Sequence, residues 1–194
     1  PLEDVVQETR FSQLHLVPST PELAGAAVEL ARREDDDALL PSALGAARER
    51  YAFTFVDCPP SLGPLTVNGL AAADRVLVPV QCEYYALEGL AQLLQSIELV
   101  RSRLNPRLAF AGMVLTMVDG RTRLSADVAA EVRRHFGALV FRAHIPRSVR
   151  LAEAPSHGLP ITAYDRQSAG ADAYYSVAAE LLDRIPAPDL VAAA

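Results

Sequence analysis

The stretch Tyr51–Pro60, YAFTFVDCPP, decides how the chain is read. Its centre is a short apolar run, Phe53-Thr54-Phe55-Val56, that ends on one carboxylate, Asp57. β-Formers in a run this short and this apolar suit a strand buried on both faces of a parallel sheet. An ionised Asp is costly inside such a core. It belongs at the strand's carboxyl end, where open α/β folds bind ligands. Pro59 and Pro60 have no N–H to donate, so they stop ladder pairing and stiffen the loop. An apolar strand, a terminal Asp and a rigid loop are what a Walker B site needs. There the Asp holds Mg²⁺ directly or through a water, and the loop senses the terminal phosphate. The same ten residues also read as a plain strand closed by Asp-x-Pro, a common loop opener.

Working outward, upstream of this stretch Leu14-His15-Leu16-Val17 reads as a strand closed by Pro18. Thr20 and Pro21 open a helix that runs to about Arg33, with a capping hydroxyl, proline in the first turn and Glu22 at the positive dipole end. Glu34 to Asp37 is an acidic turn, and Ser42 to Glu49 a further helix. Downstream, Thr66 to Ala73 is helical and Arg75 to Val80 is an apolar strand. From Tyr85 to Leu104, Leu87, Leu90, Leu94, Ile97, Val100 and Leu104 recur at helical spacing as one stripe. Leu108 to Val118 is a strand, Ser125 to Phe136 a helix stopped by Gly137, and Ala138 to Ile145 a strand ending at Pro146. A short helix near Ser148–Ala154 and a last helix from Ser168 to Ile185 complete the domain, and 186–194 is a frayed tail opened by Pro186 and Pro188.

Strands alternating with helices imply β-α-β units: an α/β fold with a mostly parallel sheet and helices on both faces. The carboxyl ends of the strands then gather four polar breaks: Asp57-Cys-Pro-Pro, Gln81 to Tyr85, Thr116 to Gly120, and Ile145-Pro146-Arg147.

At 194 residues and 51% hydrophobic, the chain is a single globular domain or most of one. No apolar run reaches the roughly 18 residues of a membrane span, and no secretion signal is legible. Cys58 and Cys82 stand apart without metal-ligand spacing, which suits a reducing cytosol. All 18 basic residues are arginine; there is no lysine. Residues 101–150 hold ten Arg against Asp119, Asp127 and Glu131, a net of +7, which leaves −13 for the rest of a chain whose total is −6. The total argues against a general nucleic-acid binder, while the local excess allows one basic face. His15, His135, His144 and His157 have no partner spacing and read as structural. No G-x-S-x-G elbow marks a hydrolase.

The segments DCPPSLGPLTVNGLAAAD, PVQCEYYALEGL, NPRLAFAGMVLTMVDGRT and IPRSVRLAEAPSHGLPI resemble, in order and spacing, the ParA/Soj partitioning ATPases, the chromosomal Soj-type members in particular. The resemblance runs from about Phe11 to Ile185. It implies a P-loop NTPase, Rossmann-like three-layer fold, with 1–185 as the C-terminal portion of one ParA-type ATPase domain. It implies ATP and Mg²⁺ as cofactors, with Asp57 as the Walker B carboxylate near Mg²⁺ and Pro59 with Pro60 in the γ-phosphate switch. By the same resemblance Met117, Pro146 and Arg147 lie by the adenine, and Arg121 and Arg150 reach DNA phosphates. Such contacts are non-specific and salt-sensitive. The implied partners are a ParB/Spo0J-type protein, non-specific nucleoid DNA and a second copy in a homodimer, in the cytoplasm and without a membrane.

The departure from the family is large. The deviant Walker A loop, K-G-G-x-G-K-[ST], and its lysines are missing, together with the first P-loop strand and helix. So is the next family strand with its catalytic Asp. The expectation is an N-terminally truncated ParA-like chain that, made alone, is aggregation-prone at the uncovered Asp57 strand and has negligible ATPase. The alternatives are a P-loop-less paralogue acting as a DNA- or partner-binding module, and a MinD-like regulatory ATPase. The last would want a basic amphipathic C-terminal helix, which IPAPDLVAAA is not. An iron–sulfur carrier of the same superfamily would want paired cysteines.

Overall fold

In the computed structural model, residues 2–30, 39–45, 50–60, 63–84 and 86–185 are described, with side chains in the last range from residue 89 onward. The expected acidic turn at 34–37, the end of the first helix, residues 46–49 of the helix expected at 42–49 and the tail from 186 lie outside them. The chain divides into two compact units. One comprises Pro1–Asp74, Ser96–Leu108 and Ala187–Ala194; the other comprises Arg75–Gln95 and Ala109–Pro186.

The first unit opens with a small antiparallel hairpin, β1 (Gln7–Glu8) against β2 (His15–Leu16). The strand expected at Leu14–Val17 is therefore a hairpin arm, with Leu14, Leu16 and Val17 exposed. Helix α1 (Leu23–Leu30) follows, then α2 (Leu39–Ala43) and α3 (Pro64–Ala72). Helix α3 starts where proline fits best: Gly63 is the N-cap and Pro64 the first helical residue. It is the centre of its unit, burying Thr66, Asn68, Gly69, Leu70 and Ala72. Asn105 closes its far end, its Nδ2 donating to the Leu70 and Ala73 carbonyls at 3.1 and 2.7 Å. Two orphan carbonyls of a buried helix end are thereby satisfied.

The decisive stretch departs from expectation. No strand is assigned over Phe53–Val56. Phe55 is 73% exposed and Val56 39%, where burial on two faces was expected. A strand is defined by its ladder partners, and among the described residues none pairs with this segment. The Phe53 and Phe55 rings stack at 6.3 Å, and Val56 and Cys58 lie against Gly69 of α3.

The second unit holds a three-stranded parallel sheet in the order β3 (Arg75–Gln81), β4 (Ala109–Val118), β5 (Val140–Pro146). The apolar runs of the sequence become strands here because each has a neighbour. β4, the central strand, buries Ala111 through Leu115. Helix α4 (Ala86–Arg103), whose residues fall in both units, leads from β3 to β4. Of its predicted stripe Leu90, Ile97 and Val100 are buried, whereas Leu104 is 41% exposed because the helix has ended before it. Helix α5 (Arg123–Phe136) links β4 to β5. Thr122 caps its start by accepting from the Ser125 amide, and Gly137 at φ +50° ends it. After β5 come the short helices α6 (Val149–Glu153) and α7 (Ile161–Tyr164), then α8 (Ala169–Arg184), capped by the Ser168 hydroxyl.

Helix α8 covers one face of the sheet. Ala173, Val177 and Leu181 pack with Leu151 on Val114, Phe141 and Ile145. Alternation sends Met113 and Leu115 to the other face, and α5, with Val128 and Val132 buried, packs on β4 and β5 without joining the α8 cluster. Among the described residues, Glu180 of α8 is the one buried carboxylate, and it is drawn into this core. It accepts from the Arg142 and Ala143 amides at 3.0 Å each and from Arg184 at 2.8 Å. Those two adjacent amides fall where the β4–β5 register shifts between Met113 and Leu115, so the carboxylate satisfies donors that the ladder leaves over.

Candidate functional site

The carboxyl edge of the parallel sheet brings three of the predicted residues together. Val118 of β4 pairs with Pro146 of β5, and the Arg147 amide donates to the Val118 carbonyl at 2.9 Å. On the other side of β4 the Cys82 amide donates to the Thr116 carbonyl at 3.0 Å. The three strand ends are thus level. Met117 sits among them at φ +54°, left-handed backbone that an unbranched non-glycine residue adopts only at a cost. The side chain is partly exposed there. Pro146 is half-buried and Arg147 exposed beside it.

The loop after β4 is locked by its own side chains. Asp119 accepts from Arg121 Nε at 2.9 Å, Nη2 at 2.8 Å and the Arg121 amide at 3.0 Å. Those bonds, with Arg147 at longer range, hold the Asp119 carboxyl well below the usual range against a small opposing effect of burial. The Asp119 amide in turn donates to Ser125 Oγ at 3.0 Å. Burial raises the Cys82 thiol, with Arg133 and Ser125 opposing it. Ser125, 3% exposed, therefore joins the ends of β3, β4 and α5.

Arg121 is 85% exposed at this edge but is held bidentately by Asp119. Arg150, on α6, is also held: Nη1 lies 3.2 Å from Glu153 and Nε 3.4 Å from Asp165. The Tyr164 hydroxyl donates to the same Glu153 carboxylate at 3.2 Å, and bonds to Tyr164 and Glu153 push Arg150 above its ordinary value. The basic excess of 101–150 is locally balanced in the same way elsewhere. Arg101 pairs with Glu98, Arg123 with Asp127 and Arg134 with Glu131. Among the described residues Arg103, Arg107, Arg133 and Arg142 have no ion pair.

Asp57 and Pro59, in the first unit, are exposed. Cys58 between Asp57 and Pro59 is half-buried, its thiol raised by burial and by the neighbouring Asp57 charge. Asp57 has no ion-pair partner among the described residues, which leaves both carboxylate oxygens free for a cation. No cluster of three or more His, Cys, Asp or Glu that could hold a metal occurs among them. The exposed Asp57 carboxylate has the chemistry of a Mg²⁺ ligand, since that ion is bound through one or two carboxylates plus waters and substrate phosphates.

A sequence profile described as an AAA domain matches residues 1–110. The sporulation initiation inhibitor protein Soj of Bacillus subtilis is 48% identical over 92% of this chain and 70% of its own length. The chromosome-partitioning ATPase Soj of Thermus thermophilus is 51% identical over 95% of this chain and 72% of its own. The chain belongs to the ParA/Soj family of chromosome-partitioning ATPases. Its fold is that of the family's P-loop enzymes. Cobyrinic acid a,c-diamide synthase from Mycobacterium smegmatis superposes with a TM-score of 0.77 at 35% identity, over 93% of this chain and 66% of that one. A second structure of that synthase carries an ATP analogue and magnesium, and superposes with a TM-score of 0.69 over 76% of this chain and 60% of that one. This ParA/Soj chain therefore spans about two thirds of the synthase and about 70% of the Bacillus relative. No described helix is long and apolar enough to cross a membrane.

Sequence reasoning grouped Met117, Pro146 and Arg147 by resemblance, and the parallel ladder groups them by geometry. It assigned no role to Glu83, Asp119 or Ser125, although Gln81-Cys82-Glu83 and Asp119-Gly120 stood out as polar breaks after apolar strands. The available signal was that each break carries one carboxylate, and that Asp119 has Arg121 two residues further along the same loop.

Proposed function

We propose that the full-length product of this gene is a partitioning ATPase that binds Mg-ATP, dimerises around it and holds DNA without sequence preference. A ParB-type partner stimulates hydrolysis and resets the switch, which works in the cytoplasm on the nucleoid. The reading is carried by the 51% identity, over 95% of this chain, to a protein named as a chromosome-partitioning ATPase. Bound Mg²⁺ would neutralise charge on the terminal phosphates. Asp57 supplies the carboxylate toward that ion, and Pro59 and Pro60 stiffen the loop that follows it. Met117, Pro146 and Arg147 receive the base at the sheet's carboxyl edge. Arg121 and Arg150 present guanidinium groups to DNA phosphates, which bind through charge and release of counterions and so carry no sequence information.

One observation favours a second reading. The chain has no lysine, so phosphate-neutralising lysines are not among its residues, and a paralogue that binds DNA or a partner without nucleotide would need none. DNA binding by the full-length product, with and without Mg-ATP, separates the two. The partitioning reading expects binding to unrelated duplexes only with Mg-ATP. It expects Arg150→Ala to weaken binding on every duplex by roughly tenfold at low salt and to reduce the salt slope by about one per arginine lost, with ATP affinity unchanged. Binding that ignores ATP supports the paralogue. An equal loss of ATP and DNA affinity would assign Arg150 to the fold.

A further inference from the structure

The ends of β3 and β5 are bridged by an ion pair that the reading above leaves without a task. Glu83, two residues past β3, places Oε1 2.6 Å from Nη2 of Arg147, one residue past β5. β3 and β5 lie on opposite sides of β4, about 9.5 Å apart at two strand spacings. Two long side chains are needed to close that gap, and they close it across the end of β4, where Met117 turns out at positive φ. Backbone bonds fix both ends of the bridge: Cys82 is tied to Thr116, and Arg147 to Val118.

We propose that Glu83 is a positioning residue that sets the Arg147 guanidinium across the end of β4 as one wall of the nucleobase slot. The proposal rests on the nucleotide reading of Met117, Pro146 and Arg147. An arginine on a flexible stem samples many rotamers, and a short charge-assisted hydrogen bond selects one. The guanidinium so held is a planar cation, and planar cations stack on the π-faces of aromatic rings, nucleobases included. With one nitrogen turned to Glu83, its face stays available. Side-chain exposures of 47% for Arg147 and 51% for Glu83 mean that the pair adds little to stability. Removing Glu83 therefore changes the orientation of Arg147 without unfolding the sheet.

The test uses the full-length product and two magnesium-bound probes, ATP and inorganic tripolyphosphate, the second having phosphates and no base. For Glu83→Ala the expected result is about a tenfold weaker ATP affinity, unchanged tripolyphosphate affinity and an unchanged thermal midpoint. Glu83→Gln, which keeps a hydrogen-bond acceptor, should recover part of the loss. ATP affinity within twofold of wild type in Glu83→Ala overturns the proposal, as does an equal loss for both probes. If the wild type itself binds ATP no better than tripolyphosphate, the base site fails and the positioning role falls with it. That outcome shows in the wild type alone, so the two failures are distinct.

Discussion

Replacing Gly112 by alanine is expected to destabilise the sheet-bearing unit by roughly 4 kcal/mol, the sum of overpacking and a strained backbone. Gly112 lies in β4 at φ +144°, a conformation open to glycine and almost closed to other residues. A Cβ there would meet Phe141 Cε2 at 2.6 Å, the Leu139 carbonyl at 2.7 Å and Arg184 Nη1 at 2.9 Å. None can give way cheaply. The carbonyl is backbone. The Phe141 ring is fully buried and lies beneath the Arg184 guanidinium at 4.1 Å. Arg184 is itself held by the Ala138 and Val140 carbonyls at 3.1 Å each. Urea unfolding followed by circular dichroism measures the loss. A midpoint equal to wild type would show that β5 can shift outward, and that the close approach is not structural.

Glu180→Ala should cost about 3 kcal/mol, the loss expected when a buried carboxylate that bonds two backbone amides and the partly exposed Arg184 is removed. The Arg142 and Ala143 amides lose their acceptor, and Arg184 loses its carboxylate. Glu180→Gln should restore little, because its amide group turns a donor toward a donor. Acid dependence provides a second readout. Burial pushes the Glu180 carboxyl up, but the Ala143 and Arg142 amides and Arg184 outweigh it, leaving the folded value below the ordinary one. A group depressed on folding contributes stability above its unfolded value, and that contribution is lost as pH falls through the folded value. Wild type should therefore lose stability from the ordinary glutamate range downward. Glu180→Gln should lose less over the same interval, though not nothing, since Asp119 and Glu131 are depressed by their arginines too. Parallel acid curves for the two proteins would remove Glu180 from that role.

Much of this was legible in the residues. The strands read at 75–80, 108–118 and 138–145 follow from apolar runs closed by polar breaks, and α5 and α8 from the helical runs at 125–136, stopped by Gly137, and at 168–185. The grouping of Met117 with Pro146 and Arg147 follows once three such strands lie parallel, because parallel order puts every carboxyl end on one edge. The segment 53–56 was misread for an instructive reason. Its composition is that of a buried strand, but composition states only what a residue prefers to touch. Whether a neighbour supplies the ladder is a property of the assembled sheet, and among the described residues none does. The ion pairs were illegible for a related reason. Arg147 and Glu83 are 64 residues apart, and no local pattern announces a contact at that distance. The net charge of +7 over 101–150 gave no hint that Arg121, Arg123, Arg134, Arg147 and Arg150 would each be met by a carboxylate, because a sum of charges carries no geometry.

By itself, then, the order of residues determined the alternation of strands and helices, the family and the polar edge at which ligands are expected. These depend on periodicity, caps and short motifs, which act within a few residues of themselves. Tertiary structure alone decided that Glu180 would fill the β5 irregularity, that Gly112 would be locked under Phe141 and Arg184, and that Glu83 would reach over β4 to Arg147. Each of those is a meeting of groups distant along the chain, fixed by which strands lie side by side and at what register.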